Sequence, residues 1–185
     1  MKKFISITIS ALILLTLASC DSLTPSERLL VGKWYGQIQH DEDKNGTSSV
    51  AEFYVTYKED KTSVEHGTMR ITCKIDDGFY EVLTLGLKCK GTWAIVDKQL
   101  FENTTYCDIV IKDVEAVGEN VTDDAAQLKD FLTSEKKRLY YDLVVPVKKE
   151  VMCKDSSKIK TLNDNELITV DKEGEVYKSS RIISE

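Results

Sequence analysis

Hydrophobic and polar residues alternate with a period of two along most of the chain, a pattern that indicates strands with one buried and one exposed face. The alternation is clearest at residues 34–39, 51–57 and 69–75. It returns in the segments 79–87, 93–96, 100–111, 143–147, 151–154, 166–171 and 175–179. We therefore predict roughly nine or ten strands, joined mostly by short turns such as Asp76-Asp77-Gly78 and Lys172-Glu173-Gly174.

Residues 122–139 depart from this alternation and have the spacing of a helix. Their apolar residues recur at intervals of three, four and seven, at Ala125, Leu128, Phe131, Leu132 and Leu139. Acidic residues occupy the predicted first turn and basic residues the last, which suits the helix dipole. We predict one amphipathic helix on the outside of the sheet, with its apolar face covering one end of the fold.

Many short antiparallel strands and a single helix predict a mainly β protein. A strand at the edge of an open sheet leaves backbone groups unpaired, and closing the sheet into a barrel removes both edges. We predict a single antiparallel β-barrel over residues 30–185, with a β-sandwich as the alternative.

A tryptophan pattern marks the start of the first predicted strand, at Gly32-Lys33-Trp34. Lipocalins and their relatives begin the first barrel strand with the same G-x-W pattern, and the chain resembles them here. A second G-x-W pattern, Gly91-Thr92-Trp93, is similar to strand starts in lipocalin-like lipoproteins of gut Bacteroidetes. The resemblance implies that Trp34 packs across the barrel bottom and that Arg181 stacks on it.

The first residues have the pattern of a cleavable export signal. Two lysines precede an apolar run over residues 4–17, which is shorter than the about 20 residues that a membrane-spanning helix needs. The run ends in Leu17-Ala18-Ser19-Cys20, which resembles the lipobox of bacterial lipoproteins. The resemblance implies a signal peptide at 1–19, acylation of Cys20 and a polar tether over residues 20–29. An ordinary cleaved signal is the alternative.

A lipid anchor implies a location in the bacterial cell envelope. No other stretch of the sequence is long and apolar enough to span a bilayer, so we expect acyl chains to hold the mature domain on the membrane. Asp21 resembles the inner-membrane retention signal of enteric bacteria, whereas many lipoproteins of Bacteroidetes carry acidic residues there and reach the outer membrane. Because the domain also resembles lipoproteins of that group, we expect the outer membrane.

The charge of the chain excludes one class of partner. Acidic residues outnumber basic ones by 31 to 25, and removal of the signal takes two lysines away as well. An acidic domain without a basic run has no electrostatic attraction for nucleic acid. We therefore expect no nucleic-acid partner.

Four cysteines remain besides Cys20, namely Cys73, Cys89, Cys107 and Cys153. An even number in an exported protein permits two disulfides, and the sequence leaves the choice among their three pairings open. Buried free thiols are the first alternative. A zinc site is the second, although no C-x-x-C or paired-histidine spacing supports it.

The loop after the first predicted strand fits the template of a calcium-binding loop, D-x-D-x-N-G with Glu after five further positions. The ligand positions are Asp41, Asp43, Asn45, Thr47 and Glu52. Oxygen atoms of this kind are the ligands that Ca²⁺ prefers, with Thr47 contributing its carbonyl. The flanking segments alternate as strands, so a solvated acidic hairpin loop is the alternative. We expect no other cofactor.

Catalytic chemistry has little support in the sequence. His40 and His66 are the only histidines, and no nucleophile-elbow motif accompanies them. The sequence also lacks P-loop, GxGxxG and HExxH motifs. We expect a protein that is not an enzyme, since a hydrolase would require His40 or His66 beside a serine and a carboxylate.

These observations together predict an envelope-anchored module that binds a small apolar or amphipathic ligand inside the barrel. Strand alternation selects as cavity-lining residues Trp34, Phe53, Tyr57, Ile71, Leu83, Leu85 and Trp93. The alternative is a barrel filled by its own side chains, which acts on an envelope protein as an interaction or inhibitor module. The volume left inside the barrel distinguishes the two.

Overall fold

The computed structural model describes residues 23–118, 125–152 and 154–183. Within them, eight antiparallel strands form a closed barrel in which each strand pairs with the next and the last pairs with the first. The strands are β1 (Gly32–His40), β2 (Thr47–Tyr57), β3 (Thr62–Asp76), β4 (Phe79–Val96), β5 (Gln99–Gly118), β6 (Lys154–Leu162), β7 (Glu166–Val170) and β8 (Val176–Arg181). The predicted mainly β barrel is confirmed, and its closure excludes the sandwich.

Helices lie at both ends of this barrel. Helix α1 (Pro25–Leu30) precedes β1, and a second helical segment connects β5 to β6. That segment consists of α2 (Ala125–Leu139), a π-helical turn (Tyr140–Val144) and α3 (Val145–Val151). No helix in the described ranges is long and apolar enough to cross a bilayer.

Unequal strand lengths give the barrel two different halves. β4 and β5 have 18 and 20 residues, whereas β7 and β8 have 5 and 6. β6 pairs with β5 only over residues 99–103. All eight strands therefore close the lower half, while the extensions of the longer strands form the upper half, which α2 and α3 cover.

Helix α1 closes the bottom of the lower half. The Thr24 hydroxyl accepts a hydrogen bond from the Glu27 N–H, and the Glu27 carboxylate accepts one from the Thr24 N–H, so a capping box starts the helix. The helix places Leu30, which is fully buried, in a core cluster with Trp34, Tyr57, Trp93, Leu100 and Leu167.

Trp34 and Arg181 fasten this bottom layer together. The Trp34 indole N–H donates to the Leu30 carbonyl at 2.7 Å. The guanidinium carbon of Arg181 lies 4.3 Å from the centre of the Trp34 ring, and its N–H groups donate to the carbonyls of Leu29 and Val31. This stacking is the contact that the lipocalin resemblance implied.

The upper half has an apolar core of its own. Leu83, Leu85 and Ile109 form its centre, and Leu132 and Leu139 of α2 pack against it. On β4, Leu83 and Leu85 share the inward face with Trp93, because successive side chains of a strand alternate and their sequence numbers differ from 93 by even amounts. The helix therefore packs on the inner face of the strand extensions and covers one end of the barrel, as predicted, whereas its predicted position outside the sheet is wrong.

An ionic cluster fixes α2 to β4. The Arg138 guanidinium lies 3.6 Å from the Glu81 carboxylate and also pairs with Glu135 and Asp142. Glu81 is buried, and one of its carboxylate oxygens has no hydrogen-bond partner among the described residues. Burial and the nearby Glu135 charge raise the pKa of Glu81, while Arg138 opposes that rise.

Two predicted strands between α2 and β6 are wrong. Residues 143–147 are helical, and Val151 ends α3, so that the next strand begins only at Lys154. Their valines favour a strand locally, yet Leu143 and Val151 continue the apolar face of the helix and pack on the upper core. The structure also joins the predicted strands 79–87 and 93–96 into one continuous β4.

Candidate functional site

A cavity of about 230 Å³ lies inside the lower half of the barrel. Its apolar floor belongs to the cluster that α1 closes, and includes Trp34, Leu100 and Leu167. Side chains from every strand except β4 line it. Asp155 on β6 is exposed to solvent, so the cavity is open to water on that side.

A glycine and an aromatic ring shape one wall of the cavity. Gly36 on β1 and Phe53 on β2 are partners in the sheet register. The Phe53 ring occupies the space in which a side chain at position 36 would stand. The absence of a side chain on Gly36 therefore allows the ring to lie against β1 and restricts the cavity to a small ligand.

Four carboxylate side chains line the cavity, those of Glu65, Glu102, Asp155 and Asp171. They come from different parts of the wall, and the register places Glu102 on β5 opposite Asp155 on β6. None of the described lining residues is lysine, arginine or histidine. The cavity therefore carries uncompensated negative charge when these groups are ionised.

Burial in this acidic cavity changes the ionisation of its inner groups. Burial raises the pKa of Glu65 to about 7, and the neighbouring Glu102 charge adds to the rise. Burial also raises the pKa of Glu102, although a 2.8 Å hydrogen bond from the Tyr57 hydroxyl opposes this. Burial and Glu102 together hold the pKa of Tyr57 well above its usual value. Near neutral pH, Glu65 therefore exchanges a proton while Tyr57 remains a donor.

A second tyrosine lies at the rim. The Tyr177 hydroxyl is 3.1 Å from Asp171 and 3.0 Å from Glu175. Burial acts to raise the pKa of Asp171, but hydrogen bonds from the Glu175 N–H and the Tyr177 hydroxyl lower it on balance. Asp171 is therefore ionised at neutral pH, and the phenol proton is directed at a carboxylate.

The predicted lining residues divide between the two halves of the barrel. Trp34, Phe53 and Tyr57 line the lower cavity. Trp93 packs beneath them, with its ring edge-on to Tyr57 at 5.8 Å and its indole N–H donating to the Thr62 carbonyl. The remaining three belong to the upper core under α2, namely Ile71, Leu83 and Leu85.

The acidic lining itself was missed by the sequence reasoning. Alternation along β2 placed Val55 and Tyr57 on one face, and Glu65 is the register partner of Val55 on β3. Glu102 lies in a predicted strand and shares a face with Leu100. A charged residue at an inward-facing position could have indicated the acidic lining. Which positions face inward, however, is known only once the strand pairing is known.

The predicted calcium loop forms the turn between β1 and β2. One oxygen of Asp43 accepts hydrogen bonds from the N–H groups of Asn45 and Thr47, at 2.8 and 2.9 Å. Those amide bonds lower the pKa of Asp43. Asp41 is exposed beside the turn, and Glu52 lies within β2, where it accepts a hydrogen bond from Tyr35. No cluster of three or more metal-binding side chains occurs in the described part of the chain.

The three cysteines in the described ranges lie along the upper part of the barrel wall. Cys89 and Cys107 are opposite each other on β4 and β5 and form a disulfide, with their Cα atoms 4.1 Å apart. Cys73 on β3 is a free thiol. Cys153 and Cys20 lie outside the described residues, as does the whole predicted signal peptide.

The two histidines lie away from the cavity. His40 ends β1 and is exposed. His66 lies in a groove on the outer face of the barrel and stacks on Tyr54 at 5.2 Å. Glu52 and Asp108 border that groove, and no serine is among its described lining residues.

Comparison with known proteins assigns no family. No family model matches the chain, and no curated protein matches it. Among solved structures, an uncharacterized protein from Bacteroides eggerthii is similar, with 14% sequence identity and a TM-score of 0.37. The match covers 83% of this chain and 99% of that one. At this degree of similarity it carries no argument about fold or function.

Proposed function

We propose that the protein is a lipid-anchored binding protein of the bacterial cell envelope, which holds a small amphipathic ligand inside its barrel. The observation that carries this proposal is the cavity of about 230 Å³ in the lower half. It is smaller than the roughly 300–1,000 Å³ of sites for drug-sized ligands, so the ligand is correspondingly small.

The surroundings of the cavity suit a ligand with an apolar and a polar part. Trp34 and Leu167 provide an apolar floor, and the carboxylates and hydroxyls above them are polar. Eight-stranded up-and-down barrels, the architecture of lipocalins, are a common scaffold for such sites. The alternative function, an interaction module, predicts a barrel filled by its own side chains, and the remaining cavity favours the binding protein.

Native mass spectrometry tests the binding function. The described fold begins at Leu23, so a chain from Leu23 to Glu185 contains all of it. Exported to the periplasm behind a separate cleavable signal and purified mildly from there, this chain should carry a bound molecule that is lost on denaturation. A mass equal to that of the bare polypeptide, together with failure to bind any member of a small-molecule library, would favour the interaction module.

Metabolic labelling tests the anchor separately. We expect the full-length chain, expressed in a bacterial host, to incorporate an alkyne-labelled fatty acid and to fractionate with membranes. The Cys20→Ala variant should lose the label, while Cys73→Ala should keep it. Equal labelling of both variants would contradict acylation at Cys20.

A further inference from the structure

The lower cavity has many hydrogen-bond acceptors, and none of its described lining residues carries a positive charge. The Tyr57 hydroxyl donates a hydrogen bond to Glu102, and the Tyr177 hydroxyl donates one to Asp171 or Glu175. The Trp34 N–H is also used, because it donates to the Leu30 carbonyl. A ligand in the cavity therefore meets carboxylate oxygens, which only accept when ionised, and the hydroxyl groups of Ser157, Thr169 and Ser179, which donate or accept.

Glu65 is the least satisfied of these acceptors. Its carboxylate lines the cavity and makes no hydrogen bond or ion pair within the described part of the chain. Glu65 is half-buried, and a partly desolvated carboxylate without a partner costs free energy, which the raised pKa of Glu65, about 7, reflects. The Glu102 charge, which acts on Glu65, has the same sign. A positively charged donor from outside the protein would relieve both effects.

We propose that the ligand of this cavity is a small organic cation, a primary amine with a short apolar or aromatic body. This inference deepens the proposed binding function and rests on it. The ammonium group, which has three donors, lies between Glu65 and Glu102, the two inner carboxylates whose charges act on each other. The apolar body packs on the floor formed by Trp34 and Leu100.

Two other ligand classes fit the cavity less well. An anionic ligand would add charge of the same sign to a lining that contains no described basic residue. A bare metal ion requires several converging ligands, and the described residues contain no group of three that could hold one. An amine combines the required charge with an apolar part that fills the floor.

Three matched probes test the sign of the charge. 2-Phenylethylamine, 2-phenylethanol and phenylacetate share an aromatic body and differ in being cationic, neutral and anionic. Isothermal titration of the chain from Leu23 to Glu185 at pH 8 should give at least tenfold tighter binding of the amine than of the alcohol. We expect no measurable binding of phenylacetate.

Isosteric variants then identify the carboxylates that bind the ammonium group. Glu65→Gln and Glu102→Gln should each weaken amine binding at least fivefold and leave alcohol binding unchanged. Glu173→Gln, in the exposed turn between β7 and β8, is the matched control and should bind the amine as the unmodified chain does. Thermal melts of all three variants verify that the barrel is folded.

The outcomes separate this inference from the binding function on which it rests. If the alcohol or phenylacetate binds as tightly as the amine, the cavity binds ligands but the assignment to a cation is overturned. If the amine binds and both cavity variants leave its affinity unchanged, the amine lies elsewhere and the assignment is likewise overturned. If none of the three probes binds, the assignment to a small amine is overturned, whereas the binding function is decided separately by the native mass spectrum of the purified chain.

Discussion

The two halves of the barrel are built on the same strands and filled in opposite ways. β3 carries Glu65 in the lower half and Ile71 in the upper half, and β5 carries Glu102 below and Ile109 above. The upper half is covered by helices and packed with apolar side chains, whereas the lower half retains a cavity lined with carboxylates. The contrast indicates that the upper half supplies stability, and it is the basis on which we propose the lower half, which keeps unpaired charge, as the binding site.

Removing a side chain from the upper core should lower the free energy of unfolding more than any of the other changes considered below. Leu85 is 2% exposed, and we expect Leu85→Ala to lower the free energy of unfolding by about 2–5 kcal/mol, because it leaves a cavity that neighbours fill only in part. Denaturant unfolding followed by tryptophan fluorescence measures the loss. Val110→Ala on β5, where the side chain is 47% exposed, should cost less than about 1 kcal/mol. Equal losses in the two variants would mean that the upper core is not well packed.

The disulfide should provide the next largest contribution. Cys89 and Cys107 are separated by 18 residues, and a cross-link over a loop of that size restricts the unfolded chain by about 3 kcal/mol. Reduction, or the double replacement of both cysteines by alanine, should lower the denaturant midpoint accordingly. Cys73→Ala serves as the control under oxidising conditions. An unchanged midpoint after complete reduction would contradict the prediction.

Replacing a cavity carboxylate should stabilise the protein, in contrast to the core variant. The pKa of Glu65 is raised to about 7 from 4.5, so the folded state binds its proton more tightly than the unfolded state does. The free energy of unfolding is therefore not reduced by Glu65 below pH 4.5, and it falls as the pH rises to about 7. We expect Glu65→Gln to change little at pH 4.5 and to stabilise by up to about 3 kcal/mol at pH 8.

The Glu65→Gln variant keeps every other group that faces Glu65. The difference between the variant and the unmodified chain therefore isolates the pH dependence of Glu65. Tyr57 on β2 keeps its proton throughout this range, Glu102 on β5 and Asp155 on β6 remain in the variant, and Cys89, the register partner of Glu65 on β4, does not titrate because it is in a disulfide. Unfolding curves measured at both pH values give the difference directly. A loss of stability at pH 8 would show that Glu65 has a favourable partner in the folded state.

Removing the ion pair between α2 and β4 should lower the free energy of unfolding least. Arg138 is half-exposed and lies 3.6 Å from the buried Glu81, so we expect Arg138→Gln to cost about 1 kcal/mol at neutral pH. The neighbouring Lys137→Gln is the matched control and should cost almost nothing. Unfolding of both variants in the same buffer compares them, and equal stabilities would remove Arg138 from the account of how the helix is held.

The sequence allowed the barrel to be predicted because alternation repeats over many strands. It also located α2, the turns at Asp76-Asp77-Gly78 and Lys172-Glu173-Gly174, and the stacking of Arg181 on Trp34. These features depend on local pattern or on a short motif. The helical conformation of residues 143–147 depends instead on packing against the upper core, which overrides their local preference for a strand.

The candidate site was only partly predictable, for a related reason. Trp34, Phe53 and Tyr57 were identified from alternation alone, and they do line the cavity. The same alternation could not separate the lower half from the upper, because inward residues of both halves have the same pattern on each strand. Separating them required the strand lengths and the position of α2. The meeting of Glu65 with Glu102 required the full register, since they come from strands that are not neighbours.

The account makes the lower cavity the binding site, and amide chemical shifts test this most directly. Titrating 2-phenylethylamine into the isotopically labelled chain at pH 8 should shift the amide signals of lower-half residues such as Val55, Glu102 and Thr169. Signals from Leu83 and Ile109 beneath the helices should stay in place. Shifts centred on the upper half or on the groove beside His66, or no shifts at saturating amine, would contradict the account.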